Sequence, residues 1–261
     1  LSLIGEERKD YILNKLNLEG KVKSFELVEA LQVSSETVRR YLEELEEEKK
    51  LKRVYGGAIK INAFGEEPAQ LSREVMHAEE KKRIGKAAAS LVEDNDVLFI
   101  SDGTTSQQMI HYLLNKKNLT VLTVSISAMH LLMDYRNKEL FDGDIYFIGG
   151  KVSSKHARVF GPIAEKIVSM FVADKAFIAI DGITLQSGIT GFDVENGMLM
   201  ARMIENAKQT VVLTDHSKIG SAQKFKIAEY KDIDIIISDA AMPSDWESEL
   251  ARLNVEWIRA E

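Results

Sequence analysis

Two rhythms of apolar residues divide the chain. In the first sixty residues the spacing is helical: Tyr11, Ile12 and Leu16 mark one helix, Leu27, Val28 and Leu31 a short second one capped by Ser24, and Val38, Leu42 and Leu45 a third capped by Ser34. Gly20 supplies a stop after the first helix, and Gln32-Val33 the turn between the second and third. On the third helix Ser35, Glu36, Arg39, Arg40 and Glu43 fall on the side away from the apolar stripe. Leu51 to Ile61 is rich in strand formers and interrupted by Gly56-Gly57, which predicts a two-stranded hairpin.

From Lys81 onward short β-rich runs alternate with amphipathic stretches. Val97 to Ser101, Leu119 to Val124, Ile145 to Ile148, Ala176 to Ile180, Thr210 to Thr214, Ile233 to Ile237 and Val255 to Ile258 read as strands; Ser106 to Leu114, Ile163 to Phe171 and Glu195 to Ala207 read as helices. Such alternation predicts an α/β fold, a largely parallel sheet with helices on both faces. Met198, Met200 and Met203 read as the core face of their helix. The stretch between the two rhythms carries Gly65, Pro68 and mixed charges, so the expected division is a helical module over 1–61, a linker over 62–80 and an α/β domain over 81–261.

Composition narrows the possible chemistry. There is no cysteine, which removes disulfides, thiolate catalysis and Cys-based metal sites. The histidines lack metal-ligand spacing, so neither a metal nor a cofactor is expected; His216 alone sits where it could contact a ligand hydroxyl. The apolar runs fall far short of the about 20 residues that cross a bilayer, and Leu1 to Asp10 lacks the apolar core of a signal peptide, so a cytoplasmic protein without a membrane partner is expected. Net charge is −7, yet residues 1–60 hold 12 Lys and Arg against 12 Asp and Glu, so the whole excess lies in the larger domain. A nucleic-acid contact therefore has to come from a local basic face of the first module.

That module offers one. Ser34-Ser35-Glu36-Thr37-Val38-Arg39-Arg40 opens the third helix with hydroxyls, a carboxylate and two arginines, groups able to meet base edges and phosphates when a helix lies in the major groove. Lys52-Arg53-Val54-Tyr55-Gly56 would touch the backbone as a wing. The candidate DNA contacts are Ser34, Ser35, Thr37, Arg39, Arg40, Lys52, Arg53, Tyr55 and Gly56; the same spacing also suits a three-helix cap with solvated charges. The run from Glu7-Arg8 through Val33 to Arg40, and on through Arg53-Val54-Tyr55-Gly56-Gly57-Ala58, resembles the N-terminal signature of the DeoR family of sugar-catabolism regulators. Tyr41 stands where that family usually has Asp and, beside Val38 and Leu45, is expected to pack.

A second set of residues sits at predicted strand ends. Asp102-Gly103-Thr104-Thr105 puts a glycine and two hydroxyls at a helix start, a phosphate cradle or simply a capped tight turn. Gly149-Gly150-Lys151, Asp181-Gly182 and Asp215-His216-Ser217-Lys218 follow other strands, and ligands of open parallel sheets collect beyond carboxyl ends. Lys151 and Lys218 would balance a phosphate, while Asp102, Asp181 and Glu195 would hold sugar hydroxyls. These segments, with Thr123-Val124-Ser125, Gly161-Pro162 and Ala173 to Phe177, resemble the DeoR sensor domain, whose fold is similar to ribose-5-phosphate isomerase. Val124 replaces a usual Asn and Ser153 a common Arg, for which Lys151 or Lys155 could substitute. The resemblance implies Ser125 as an effector contact, a double-stranded DNA operator, a phosphorylated sugar effector and a homo-oligomeric repressor. The alternative is an isomerase using Asp181, Glu195 and Lys218 as an acid-base set beneath a helical cap; the resemblance favours binding without turnover.

Overall fold

The computed structural model describes residues 5–19, 21–48, 50–54, 56–60 and 67–261. The chain forms two compact units, Leu1–Met76 and His77–Glu261.

The first unit runs α1 (Gly5–Glu19), β1 (Lys21–Lys23), α2 (Ser24–Leu31), α3 (Ser35–Glu47), β2 (Leu51–Val54), β3 (Gly57–Lys60) and α4 (Gln70–Val75). Its core is the apolar stripe of the helices, Ile12, Leu16, Leu27, Leu31, Val38, Leu42 and Leu45, joined by Val22, Tyr41, Leu51 and Ala58; Tyr11 stays at the surface. The expected hairpin is the outer part of a three-stranded antiparallel sheet in the order β1-β3-β2. β1 escaped notice because only Val22 of its three residues is apolar. It lies so close that a Cβ on Gly57 would fall 2.0 Å from the Val22 carbonyl oxygen, so only glycine opens β3. Ser24 is the first helical residue rather than the cap, a place taken by Lys23 without a side-chain hydrogen bond; the Ser24 N–H instead donates to the Gly56 carbonyl at 2.8 Å. Gly20, Tyr55 and Gly65 lie outside the described residues.

The stretch read as linker is in part helical, in α4 and in the start of α5 (Ala78–Ser90). Its pattern is inverted: α4 buries Gln70 and Ser72 and exposes Leu71 and Val75, so apolar periodicity points the wrong way. A part-buried Arg73–Glu67 ion pair at 2.8 Å supports it.

After α5 the chain passes through β4 (Val97–Ile100), α6 (Thr104–Met109), β5 (Thr120–Thr123), α7 (Ile126–Asn137) and β6 (Asp144–Phe147). There follow β7 (Lys151–Ser153), β8 (Arg158–Phe160), α8 (Pro162–Val168), β9 (Ala173–Ala179), β10 (Gly182–Thr184), β11 (Gly188–Gly191) and α9 (Val194–Glu205). The last elements are β12 (Ala207–Thr214), β13 (Phe225–Ala228), β14 (Ile235–Ser238), α10 (Glu247–Arg252) and β15 (Glu256–Arg259). The seven runs expected as strands form one seven-stranded sheet in the order β15-β14-β12-β9-β4-β5-β6, parallel at every pairing.

Alternate strand residues enter two cores, as a sheet covered on both faces requires. Phe99, Leu122, Ile178, Val212 and Ile236 pack with α8 and α9 on one side; Leu98, Ile100, Val121, Phe177, Val211 and Leu213 pack with α5, α6 and α7 on the other. Met200 and Met203 join the first core, but Met198 is largely exposed, because it precedes Met200 by two residues and so points off the buried stripe. Two small additions were not expected: the antiparallel sheet β10-β11-β13 and the hairpin β7-β8. Their strands are three or four residues long and rich in Gly, Thr and Lys.

The sheet order defines where a ligand belongs. The chain builds outward from β4 through β5 to β6, returns to the other side of β4 as β9, and then builds away through β12, β14 and β15. Helices before and after that reversal leave opposite faces, so a crevice opens beyond the carboxyl ends of β4 and β9.

Candidate functional site

On the first unit, α3 begins with its cap made: the Ser34 hydroxyl accepts from the Thr37 N–H at 3.2 Å and lies 2.9 Å from the Thr37 hydroxyl. Ser35 and Glu36 are exposed. The side chains of Arg39 and Arg40 are 64% and 63% exposed, with Arg39 Nε 3.2 Å from Glu43 and Arg40 Nε 3.6 Å from Glu44. Arg53 of β2 donates to the same Glu43 at 2.6 Å, and its backbone N–H donates to Glu46 at 2.7 Å. Hydrogen bonds from Arg39 and Arg53 hold the Glu43 carboxyl below the usual range. Exposed pairs of this kind contribute little, so the arginines can exchange a glutamate for a phosphate at small cost. Gly56, at φ +81°, makes the wing turn; Tyr55 and the Lys52 side chain lie outside the described residues. Tyr41 is packed in the core, only 5% exposed, and its phenol accepts from Arg8 at 3.5 Å, which draws its pKa down against the opposing effect of burial.

On the second unit, β4 ends at the crevice. The Ser101 hydroxyl accepts from the Ala179 N–H at 2.9 Å, tying the ends of β4 and β9 together, and Ser106 donates back to the Ser101 carbonyl at 2.9 Å. Gly103 has φ +134°, and a Cβ there would stand 2.7 Å from Ala179 Cβ, so backbone and space both demand glycine. α6 starts directly after it with no side-chain cap, and Thr104 and Thr105 are buried. Asp102 is buried beside them. Its Oδ2 accepts from Arg158 Nη1 at 3.0 Å, and its Oδ1 has no hydrogen-bond partner.

The neighbouring strand ends supply the remaining residues. Ser125 caps α7, its hydroxyl accepting from the Ala128 N–H at 3.1 Å, and it forms an antiparallel bridge with Arg158. Beyond β6, Gly149 faces open space, while a Cβ on Gly150 would lie 2.7 Å from the Phe160 carbonyl oxygen. Lys151 is exposed, 3.3 Å from Glu195 and with its ammonium 5.0 Å from the Phe160 ring centroid; a Cβ on Gly161 would stand 4.0 Å from Glu195 Oε1 and from Lys151 Cβ, and the φ of +91° there favours glycine. Beyond β9, the Asp181 carboxylate accepts from the Phe192 N–H at 3.3 Å. A Cβ on Gly182 would fall 2.5 Å from the Ser221 carbonyl oxygen, and the Gly220 N–H donates to Ile183 at 2.9 Å, which holds the loop after β12 against β10.

That loop is a 3-10 turn, His216–Lys218, capped by buried Asp215. Burial pushes the Asp215 carboxyl up, but donation from Ser217 together with the charges of Lys218, Lys81 and His77 prevails and leaves it lowered. His216 is tied to Asp239, ring at 2.7 Å and backbone N–H at 2.8 Å, and meets the His77 ring edge-on.

The expected effector residues thus stand at the carboxyl ends of β4, β5, β6, β9 and β12, with Glu195 at the start of α9. Contacts join Asp102 with Arg158, Arg158 with Ser125, Lys151 with Glu195, and the Asp181-Gly182 turn with the loop that carries Lys218. Sequence reading missed Arg158, Lys81 and Asn196, whose buried Oδ1 also has no hydrogen-bond partner. Arg158 had a trace: the register of β7 with β8 puts it directly opposite Ser153, the position where the family pattern has arginine. Among the described residues no three His, Cys, Asp or Glu are grouped to hold a metal ion, and no helix is long and apolar enough to cross a membrane.

A winged helix-turn-helix with outward arginines, fused to a parallel-sheet domain with polar strand-end loops, defines a DNA-binding regulator with a sensing half. The family model described as the DeoR-like helix-turn-helix domain matches residues 8–64, and the DeoR C terminal sensor domain matches residues 76–240; the chain belongs to the DeoR family of transcriptional regulators. It is 36% identical to the HTH-type transcriptional repressor GlcR of Bacillus subtilis (strain 168), over 90% of this chain and 88% of the relative. It is 30% identical to the glycerol-3-phosphate regulon repressor of Escherichia coli (strain K12), over 91% and 92%. Among solved structures it is similar to ribose 5-phosphate isomerase A of Methanocaldococcus jannaschii, at 19% identity, 55% coverage of each chain and a TM-score of 0.40. The relatives are regulators by name, and the chain is a regulator rather than an isomerase.

Proposed function

We propose that the chain is a cytoplasmic, homo-oligomeric repressor of a sugar-catabolism operon that releases its operator when a phosphorylated sugar binds. DNA reading belongs to residues 1–61 and sensing to 81–261, with 62–80 joining them. Ser34, Ser35, Thr37, Arg39 and Arg40 meet the major groove, and Lys52, Arg53, Tyr55 and Gly56 the adjoining backbone. In the sensor, Gly103, Thr104, Thr105, Gly149 and Gly150 cradle the phosphate with Lys151 and Lys218, while Asp102, Ser125, Asp181, Gly182 and Glu195 take the sugar.

The observation that carries this reading is the meeting of the Asp102-Gly103-Thr104 turn with buried polar groups at the point where the sheet order reverses. Buried polar side chains at a strand-end crevice suit a small polar ligand, and the names of the relatives support a repressor of a sugar or sugar-phosphate regulon. Release requires tighter effector binding in the DNA-incompetent state than in the competent one. The test is fluorescence anisotropy of the full chain on fragments of its own upstream region, titrated with sugar phosphates. One ester is expected to dissociate the complex while the unphosphorylated sugar does not. Dissociation by the free sugar alone, or no specific fragment bound at all, overturns the proposal.

A further inference from the structure

Arg158 and Asp102 form an ion pair taken almost wholly out of water: their side chains are 3% and 2% exposed, with Nη1 and Oδ2 3.0 Å apart. The second carboxylate oxygen, Oδ1, is buried without a hydrogen-bond partner. A stranded acceptor is destabilising, and a buried ion pair contributes little to stability against a neutral replacement of similar volume. The pair is therefore poorly explained as a fold element. Its setting points to a ligand. Asp102 lies just beyond the carboxyl end of β4 at the reversal of the sheet order, and β8 carries Arg158 across the neighbouring strand end, bridging Ser125 and donating from the Val159 N–H to the Val124 carbonyl at 2.9 Å.

We propose that Arg158 is a positioning residue of the effector site: it balances the charge of Asp102 and turns Oδ1 to accept a hydrogen from a hydroxyl of the bound sugar. This rests on the reading above and deepens it, because it divides recognition between the glycine-threonine turn, which takes the phosphate, and a charge-balanced carboxylate, which takes a hydroxyl. The ligand class is a phosphate ester with an unmodified hydroxyl; an inorganic phosphate lacks the second element.

The hairpin register supplies an unusual test. Ser153 pairs directly with Arg158, and residues opposite each other on antiparallel strands project from the same face with Cβ atoms about 5 Å apart. A guanidinium moved from 158 to 153 starts from the same side of the hairpin. Four full-length proteins are compared by thermal shift against ribose 5-phosphate, glucose 6-phosphate, fructose 1-phosphate, glycerol 3-phosphate and inorganic phosphate: wild type, Arg158→Ser, Arg158→Ser with Ser153→Arg, and Asp102→Asn with Arg158→Met. Wild type is expected to respond to an ester and more strongly than to phosphate. Arg158→Ser should need about tenfold more ester or beyond, Ser153→Arg should recover most of that loss, and the neutral double variant should melt unliganded at or above the wild-type temperature while ignoring the ester.

Wild type responding while Arg158→Ser responds equally well overturns the inference and leaves the proposed function standing. So does a neutral double variant that melts far below wild type, which makes the pair a fold element, or a loss at 158 that arginine at 153 does not recover. A wild type indifferent to every ester removes the proposed function and this inference with it.

Discussion

Arg39 and Arg40 rest on Glu43 and Glu44 in the unbound protein, so their contribution to DNA binding is read from salt dependence. Replacing both with alanine is expected to weaken operator binding and lower the log-log salt slope by about one for each phosphate no longer neutralised. Equal slopes for variant and wild type would remove these residues from the interface. At the other end of the chain, Asp215 has its folded pKa depressed, so its contribution to stability is present above the unfolded carboxylate range and is lost as pH falls through the folded value. Asp215→Asn should lower the melting temperature at neutral pH and flatten its fall toward acid; parallel curves for the two proteins would sink that assignment. Ser34 was legible from sequence because a helix cap spans only three residues. Arg158 was not, since nothing in a linear string says that 158 faces 153 until the hairpin register is known. Tyr41 lay between: helical spacing put it beside Val38, while its bond to Arg8 depends on how α1 crosses α3.

At the scale of elements, legibility followed apolar density. β12 and β14 announce themselves through Val211-Val212-Leu213 and Ile235-Ile236-Ile237, buried on both faces of the sheet. β1, β7, β10 and β11 have too few residues to show a period, and α4 hides its polar residues and displays its apolar ones, so local pattern was silent or misleading there. β7, β10 and β11 also flank the strand-end turns of the candidate site, where packing yields to the placing of backbone and charge. The turn from β4 into α6 is the sharpest case. Gly103→Ala puts a side chain on a φ of +134° and against Ala179, which is expected to destabilise the second unit by roughly 1–3 kcal/mol. An unchanged denaturation midpoint, at unchanged m value, would show that this turn relaxes freely.

At the scale of the whole molecule, the candidate site was visible as a set of strand-end glycines, but its assembly depends on the sheet order, which no local pattern encodes. The order β15-β14-β12-β9-β4-β5-β6 makes the earliest strand of the second unit an interior one. Leu98, Phe99 and Ile100 are fully buried, and one side of their backbone is satisfied only by β9, which is made long after them. A chain emerging from the ribosome therefore presents β4, joined in turn by β5 and β6, with one apolar border left bare for as long as residues 101–172 take to be made and β9 to arrive. Borders of that kind recruit other strands. Translation stalled when the extruded chain ends just short of Ala173 is expected to yield nascent chains that co-sediment as aggregates or are held by chaperones, whereas stalling late enough for β9 and β12 to have left the exit tunnel releases them. The same reversal of strand order that opens the crevice thus makes the wait between β4 and β9 a hazardous interval in the synthesis of this domain.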